Sequence, residues 1–289
     1  MSASRASSAT PTTAELLAFA LELADAADAV TLTAFRTGGE VRRKRDGSLV
    51  TEADEATERE LRRLIEARFA DHAVLGEEQG LAGGEEAPAR WILDPIDGTH
   101  SFARGVPIWG TLIACERAGV VEVGVASAPA LGTRWWAGRG LGAYRGGLSE
   151  GRRGSGAGER IHVSAIDQFD EAQILFGSYR LVVREWGSRA PSLLEASWRQ
   201  RGYGDCWGHC LVAEGSAELM LDPQVSAWDI AALIPILEEA GGRITDVEGR
   251  AGLDITQAIA SNGALHEQAL RVLRGDEPPP AAAPGSLVT

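Results

Sequence analysis

One stretch of the sequence, residues 91–102, limits most strongly what the chain can fold into. It reads WILDPIDGTHSF. Its apolar residues predict a short buried strand, so Asp94 falls at the carboxyl end of that strand, where open α/β sheets bind their ligands. Because Pro95 restrains the turn, Asp94 and Asp97 can both point into one site.

Gly98 and Thr99 complete this pattern. A glycine at this point lets backbone N–H groups approach an anion closely. Two carboxylates beside such a turn supply the hard oxygen ligands that a metal-assisted phosphate site needs. The alternative is an ordinary β-turn in which aspartate, proline and glycine serve only as turn formers.

The charge balance restricts the partners of the chain. With 28 basic and 41 acidic residues, the net charge is −13. This balance argues against a surface that binds nucleic acid or an anionic membrane. An acidic protein also repels an anionic substrate, unless bound divalent cations reverse the local sign.

The first 30 residues and the three cysteines favour a cytoplasmic protein. Residues 1–13 lack the apolar core of a signal peptide, and the apolar run at residues 16–30 contains three acidic residues and cannot span a bilayer. The three cysteines are odd in number and have apolar neighbours, which favours reduced thiols. They are Cys115, Cys206 and Cys210.

A length of 289 residues suits one large domain or two packed halves. We expect a flexible N-terminus (1–13), an N-terminal α+β half (14–145), a mobile linker (146–159), a C-terminal α/β half (160–274) and a disordered tail (275–289). The first half should contain helices at 14–37 and 55–69, the second capped by Thr51 or Asp54, and then an antiparallel meander. The second half should contain a helix at 227–240, with Pro235 kinking it or lying in its first turns.

Three further patterns have more than one interpretation. Residues 138–143 match the dinucleotide pattern G-x-G-x-x-A, but no helix pattern follows, so we predict a hairpin. Cys206, His209 and Cys210 could bind zinc, but they share one helical turn without a second ligand pair, which favours packed helix residues. The basic residues 42–45 are typical of an exposed surface, and Lys44 is the one we place nearest a phosphate.

Four motifs, in order along the chain, resemble the inositol monophosphatase family of metal-dependent phosphatases. They are Lys44-x-Asp46-x-x-x-Val50-Thr51-x-Ala53-Asp54, Gly76-Glu77-Glu78, Asp94-Pro95-Ile96-Asp97-Gly98-Thr99 and Trp228-Asp229. The resemblance implies a layered αβαβα sandwich, an α+β fold, usually assembled as a homodimer. It also implies two or three Mg²⁺ ions per site, or Mn²⁺ in their place.

The resemblance assigns a role to each motif residue. Glu77 and Asp94 would hold one Mg²⁺ with the carbonyl of Ile96, and Asp94, Asp97 and Asp229 would hold a second. Asp54 and Thr99 would help to place the attacking water, and the amides of Gly98 and Thr99 would hold phosphoryl oxygens. The implied reaction is in-line hydrolysis of a phosphate monoester by a metal-activated water. A haloacid-dehalogenase-type phosphatase is the mechanistic competitor, but it needs D-x-D spacing, and here the spacing is D-x-x-D.

Within the family, several segments are most similar to the actinobacterial histidinol-phosphate phosphatase branch, which acts late in histidine synthesis. These segments are residues 104–109, 127–131, 134–136, 203–205, 210–215 and 223–226. Asp205 and Asp222 fall where the family recognises its substrate, and two carboxylates suit a cationic ester better than a neutral one. The alternatives are that Asp205 caps a helix and that Asp222 closes a turn.

Two other functions stay open at this point. One is a phosphatase for inositol phosphate or another small sugar phosphate. The other is a non-catalytic protein that uses the fold to bind a partner. His100 receives no role.

Overall fold

Two β-sheets alternate with three layers of helices in the computed structural model. The structure describes residues 10–38, 41–43, 49–84, 86–149 and 158–281. Most of the predicted flexible N-terminus, mobile linker and disordered tail lies outside the described residues. Within those ranges, no helix combines the length and the apolar character needed to cross a bilayer.

The first layer consists of two helices that begin at capping boxes. Thr12 accepts a hydrogen bond from the Glu15 N–H, and the Glu15 carboxylate accepts one from the Thr12 N–H. Thr51 and Asp54 form the same reciprocal pair. A capping box satisfies N–H groups that have no partner inside the helix. Because Thr51 is the cap, the second helix begins before the predicted residue 55. The helices are α1 (Thr13–Thr37) and α2 (Glu52–Arg68).

The larger sheet packs under these helices and contains the predicted meander. In the sheet order β10-β9-β8-β7-β6-β5-β3-β4, β3 and β5 are parallel and the other neighbours are antiparallel. Gly138 pairs with Gly142, so residues 138–143 form the predicted hairpin. A separate hairpin consists of β1 (Val41–Arg43) and β2 (Leu49–Thr51). The strands of the larger sheet are β3 (Ala73–Gly76), β4 (Gly80–Ala82), β5 (Arg90–Asp97), β6 (Gly110–Arg117), β7 (Val120–Ala128), β8 (Thr133–Gly138), β9 (Gly142–Gly147) and β10 (Glu159–Arg160).

The middle layer separates the two sheets and shares one apolar core with strands of both. The helix predicted at 227–240 is divided into α7 and α8, and Pro235 lies in the first turn of α8. Proline cannot donate to the preceding turn and clashes with it, so the chain breaks before this residue. The helices are α6 (Asp205–Ala213), α7 (Ala227–Ile230) and α8 (Leu233–Glu239), with the short α3 (Thr99–Ala103) after β5.

The smaller sheet and an outer layer of helices complete the fold. The strand order is β12-β11-β13-β15-β14, with β11 parallel to both of its neighbours. The sequence of layers confirms the αβαβα sandwich. The strands are β11 (Gln173–Phe176), β12 (Arg199–Arg201), β13 (Leu219–Asp222), β14 (Arg243–Thr245) and β15 (Ala258–Ser261). The outer helices are α4 (Tyr179–Trp186), α5 (Arg189–Ala196) and α9 (His266–Arg274), and 3₁₀ turns lie at Pro129–Leu131 and Phe169–Glu171.

Candidate metal and phosphate site

Two of the predicted ligands, Asp94 and Asp97, lie on strand β5 on either side of an irregularity in its pairing with β6. The strand continues through Asp97 instead of ending at Asp94, and its register with β6 shifts between these residues. The Thr111 hydroxyl donates a hydrogen bond of 2.8 Å to the Pro95 carbonyl within this shift. Such an irregularity redirects a side chain, which explains how Asp94 and Asp97 reach one site without a complete turn between them.

Three carboxylates meet at this point. Asp94, Asp97 and Asp229 each offer an oxygen, and the three oxygens lie within 4.8 Å of one another. Asp229 is the N3 residue of α7, and its Oδ2 accepts a hydrogen bond of 2.7 Å from the Ser226 N–H. The capping box of α7 therefore fixes the direction in which the distant Asp229 enters the site.

Mutual repulsion dominates the electrostatics of these carboxylates. Burial, and then the charges of Glu77 and Asp97, raise the pKa of Asp94 well above its ordinary value. Burial, together with the charges of Asp222 and Glu77, raises the pKa of Asp229 to about 7. Since acidic neighbours disfavour the ionised forms, the site favours any cation that can neutralise them.

Glu77 lies beside this cluster at the end of β3, although its oxygens are not within the three-oxygen group. Its charge contributes to the raised pKa values of Asp94 and Asp54. A buried Glu58 holds the turn on which Glu77 sits, because it accepts hydrogen bonds from the Glu78 N–H (2.8 Å) and the Gln79 N–H (3.1 Å). A Cβ atom at Gly76 would lie 2.3 Å from Glu58 Oε1, so glycine is needed at Gly76 for this contact.

Two oxygens of the site are buried without a hydrogen-bond partner among the described residues, Asp54 Oδ1 and Asp94 Oδ1. The other oxygen of Asp54 accepts hydrogen bonds from the Thr51 N–H (2.8 Å) and hydroxyl (2.6 Å). Burial, and more weakly the charge of Glu77, raises the pKa of Asp54 to about 6. Buried carboxylate oxygens are normally paired or ligate metals, so this donor set fits a hard cation such as Mg²⁺.

The segment after β5 has the expected glycine geometry. Gly98 has φ +80°, and α3 begins at the next residue. The Thr99 hydroxyl donates a hydrogen bond of 3.0 Å to the Ile96 carbonyl. The first N–H groups of a helix have no partner within it, so the amides at this turn are suited to an anion.

Asp205 lies against this turn. A Cβ atom on Gly98 would be 3.2 Å from Asp205 Oδ2. The suggestion that Asp205 caps α6 is wrong, because Gly204 is the N-cap and Asp205 is the first helical residue, with φ 55°. The next amide, Cys206 N–H, donates a hydrogen bond of 2.6 Å to Asp97 Oδ2. The start of α6 therefore contacts the acidic site directly.

The remaining predicted residues have separate positions. Asp222 ends β13, and its charge is the largest contribution after burial to a pKa of about 6 for Asp205. His100 is exposed, and its charge opposes this rise. Lys44 lies outside the described residues. Sequence reasoning missed Glu58, because a glutamate on a charged helix gives no signal that it is buried.

Comparisons with known proteins show which proteins the chain is similar to. The model of the inositol monophosphatase family matches residues 12–276. Histidinol-phosphatase of Mycobacterium tuberculosis is 43% identical over 260 residues, which cover 88% of this chain and 96% of the relative. Histidinol-phosphatase of Streptomyces coelicolor is 44% identical over 260 residues, with 87% and 94% covered. The structure of an IMPase of Thermotoga maritima has a TM-score of 0.77 at 29% identity and covers 89% of this chain and 96% of its own.

Proposed function

The chain belongs to the inositol monophosphatase family, and from that premise we propose that it hydrolyses L-histidinol phosphate to L-histidinol and phosphate. The observation that carries the proposal is the group of three carboxylate oxygens within 4.8 Å, from Asp94, Asp97 and Asp229. The extent of the match to two histidinol-phosphatases supports the choice of ester.

Metal dependence follows from the chemistry of the donor set. Asp94, Asp97, Asp229, Glu77 and the carbonyl of Ile96 would hold two or three Mg²⁺ ions, or Mn²⁺ ions in their place. When bound, these ions would acidify water and neutralise charge on the phosphoryl group. The repulsion that raises the carboxylate pKa values would then become a favourable interaction with the cations.

The chain's own groups would bind and orient the reactants. Asp54 Oδ1 has no hydrogen-bond partner among the described residues, so it can accept a hydrogen bond from the attacking water. The Thr99 hydroxyl, anchored on the Ile96 carbonyl, would fix this water from a second direction. Glu77, whose charge acts on Asp54, would also help to orient this water. The amides of Gly98 and Thr99 would hold phosphoryl oxygens.

Asp205 and Asp222 would bind the other end of the substrate. Histidinol phosphate carries an ammonium group and an imidazole, whereas inositol phosphate offers hydroxyl groups. Because Asp205 Oδ2 lies close to Gly98, a cation there would sit next to the phosphate cradle. Pairing with a cation would also relieve the repulsion between Asp205 and Asp222.

Phosphate release from L-histidinol phosphate and from inositol 1-phosphate, measured side by side with Mg²⁺, tests the proposal. We expect a higher kcat/KM for histidinol phosphate. Equal values, or preference for the inositol ester, would refute the assignment. Asp97→Asn should abolish hydrolysis of both esters, and persistence of turnover in this variant would refute the proposed metal site.

A phosphatase for inositol phosphate is the second candidate, supported by the fold shared with an IMPase. A non-catalytic, partner-binding protein is the third, and turnover of any phosphate ester that depends on Asp97 would exclude it. We also propose a homodimer that acts in the cytoplasm in histidine biosynthesis. The three buried free cysteines suit such a reducing compartment.

A further inference from the structure

One buried imidazole next to the site has no assigned role. His209 lies on α6, and its side chain is 1% exposed. Neither ring nitrogen has a hydrogen-bond partner among the described residues. Buried polar atoms are usually satisfied, so an imidazole without a partner requires an explanation. From the sequence, His209 was considered as a zinc ligand with Cys206 and Cys210, and a packed helix residue was favoured.

The nearest charged group is the carboxylate of Asp222. His209 Nε2 lies 3.5 Å from Asp222 Oδ2, slightly beyond the ordinary N–H···O distance of about 3.0 Å. A small rotation of the Asp222 side chain would therefore form the hydrogen bond. In the described part of the chain, Asp222 has no other ion-pair partner. Since the Asp222 side chain is 22% exposed, it can meet a ligand on its other side.

The position of His209 is fixed by its helix. His209 follows Asp205 by four residues, one helical turn along α6, and the charge of His209 acts on Asp205. A Cβ atom at Gly208 would be 2.5 Å from the Tyr203 carbonyl and 2.6 Å from Met220 Sδ, so α6 packs tightly on its surroundings. The contact with Met220 holds α6 against β13, the strand that ends at Asp222.

We propose that His209 is a specificity-determining positioning residue, which holds the Asp222 carboxylate toward Asp205 so that the two carboxylates together bind the cationic end of the substrate. This inference rests on the proposed function. An Asp222 side chain without an anchor would rotate away from Asp205, because the two like charges repel each other. A donor at Nε2 removes that freedom and leaves the second carboxylate oxygen for the ligand.

The alternative is that His209 only fills space in the core. Phenylalanine and glutamine separate the two roles. Phenylalanine keeps a planar ring without a donor, whereas the glutamine amide can reach the place of Nε2 and donate. A role in packing predicts that phenylalanine is tolerated and that all esters respond alike, whereas positioning predicts a loss specific to the cationic ester.

The test compares kcat/KM for L-histidinol phosphate and for glycerol 2-phosphate, which has no cation. His209→Phe should lower the ratio of the two values about tenfold, mainly through KM for histidinol phosphate, and His209→Gln should restore it to within about threefold. Asp222→Asn should lower the same ratio, and adding His209→Phe to it should cause little further loss. An unchanged ratio in His209→Phe, or equal losses on both esters, would overturn the proposal.

A second measurement covers the case in which His209→Phe does not fold. In wild-type protein with ¹⁵N-labelled histidine, L-histidinol with inorganic phosphate should shift the ring signals of His209, assigned by their absence in His209→Gln. Glycerol with phosphate should not shift them, and identical responses to both ligands would overturn the proposal. Wild-type turnover of histidinol phosphate tests the proposed function separately, since it does not depend on these ratios.

Discussion

Replacing Glu58 by glutamine should weaken both the fold and the proposed metal site, although Glu58 is not a predicted ligand. The carboxylate is fully buried. Its Oε1 accepts hydrogen bonds from Arg62 Nε (2.8 Å) and the Gln79 N–H, and its Oε2 accepts one from the Glu78 N–H. Glutamine keeps a single oxygen, so it can retain the bonds at one position while its NH₂ group faces a donor at the other.

The expected loss follows from these contacts. One hydrogen bond to a charged acceptor contributes about 1.5–3 kcal/mol. Arg62, whose side chain is 14% exposed, also loses its ionic partner. Removing one partner of a fully buried ion pair costs about 3–5 kcal/mol, and the partial exposure of Arg62 reduces this contribution. We therefore expect the free energy of unfolding to fall by about 3 kcal/mol.

The same change should affect metal binding through Glu77. The Glu78 and Gln79 amides fix the turn that presents Glu77, and loss of such outer support lowers metal affinity about 10–100-fold. We expect the lower end of this range, because Glu58 holds the neighbours of Glu77 and not its carboxylate. Urea denaturation with EDTA measures the first effect, and the Mg²⁺ concentration for half-maximal phosphate release measures the second.

Glu60 is a matched control on the same helix. Its ion pair with Arg63 is exposed, and exposed pairs contribute little to stability. Glu60→Gln should leave both the urea midpoint and the Mg²⁺ requirement unchanged. If Glu58→Gln behaved like this control, the inference that buried Glu58 supports the metal site would be refuted.

Three further changes have defined outcomes. The raised pKa values of Asp54 (about 6) and Asp229 (about 7) mean that the folded, metal-free protein binds more protons than the unfolded chain. The free energy of unfolding in EDTA should thus fall as the pH rises from about 4 to 7, as measured by urea denaturation. Mg²⁺ should remove this loss. A free energy of unfolding that rises over the same interval would contradict the argument. Gly98→Ala should lower kcat/KM at least tenfold, measured by phosphate release, because φ is +80° and the Cβ atom would lie 3.2 Å from a carboxylate oxygen of the site. Asp28→Asn should lower the free energy of unfolding by about 3 kcal/mol, because it breaks the ion pair of 2.6 Å between Asp28 and the fully buried Arg134. A urea midpoint equal to that of the wild type would show that this ion pair does not stabilise the fold.

Local signals predicted the parts of the fold that depend on neighbouring residues. Thr51 with Asp54 is a capping pattern, and such a pattern has the same meaning wherever the helix lies. The break near Pro235 and the hairpin at 138–143 also follow from backbone chemistry. The start of α2 was wrong by a few residues because both Thr51 and Asp54 are good caps, and only the observed hydrogen bonds distinguish them.

The site could not be predicted from the spacing of residues in the sequence alone. Asp97 and Asp229 are far apart in the chain, and no periodicity indicates that they meet; their association was expected only from the family resemblance. The burial of individual acidic residues was even harder to predict from the sequence. Glu58 and Glu60 look equivalent in the sequence, yet Glu58 is fully buried and Glu60 is partly exposed. Tertiary packing decides this difference, and the Cβ-free surface of Gly76 is what admits the Glu58 carboxylate.

An acidic chain can bind an anionic substrate because the charge near the site differs from the net charge of the whole molecule. A net charge of −13 repels a phosphate ester at long range, but screening limits that repulsion to about 8 Å at physiological ionic strength. Inside this distance the sign is local. Under the proposed function, cations held by Asp94, Asp97 and Asp229 would reverse the sign where the phosphate binds. Asp205 and Asp222 lie outside the three-oxygen group, and under the proposed function they bind the cationic end of the substrate. An ester with a cation near its phosphate satisfies both regions, whereas a neutral alcohol leaves the second region unpaired. The same excess of carboxylates that makes the protein acidic can therefore select the substrate.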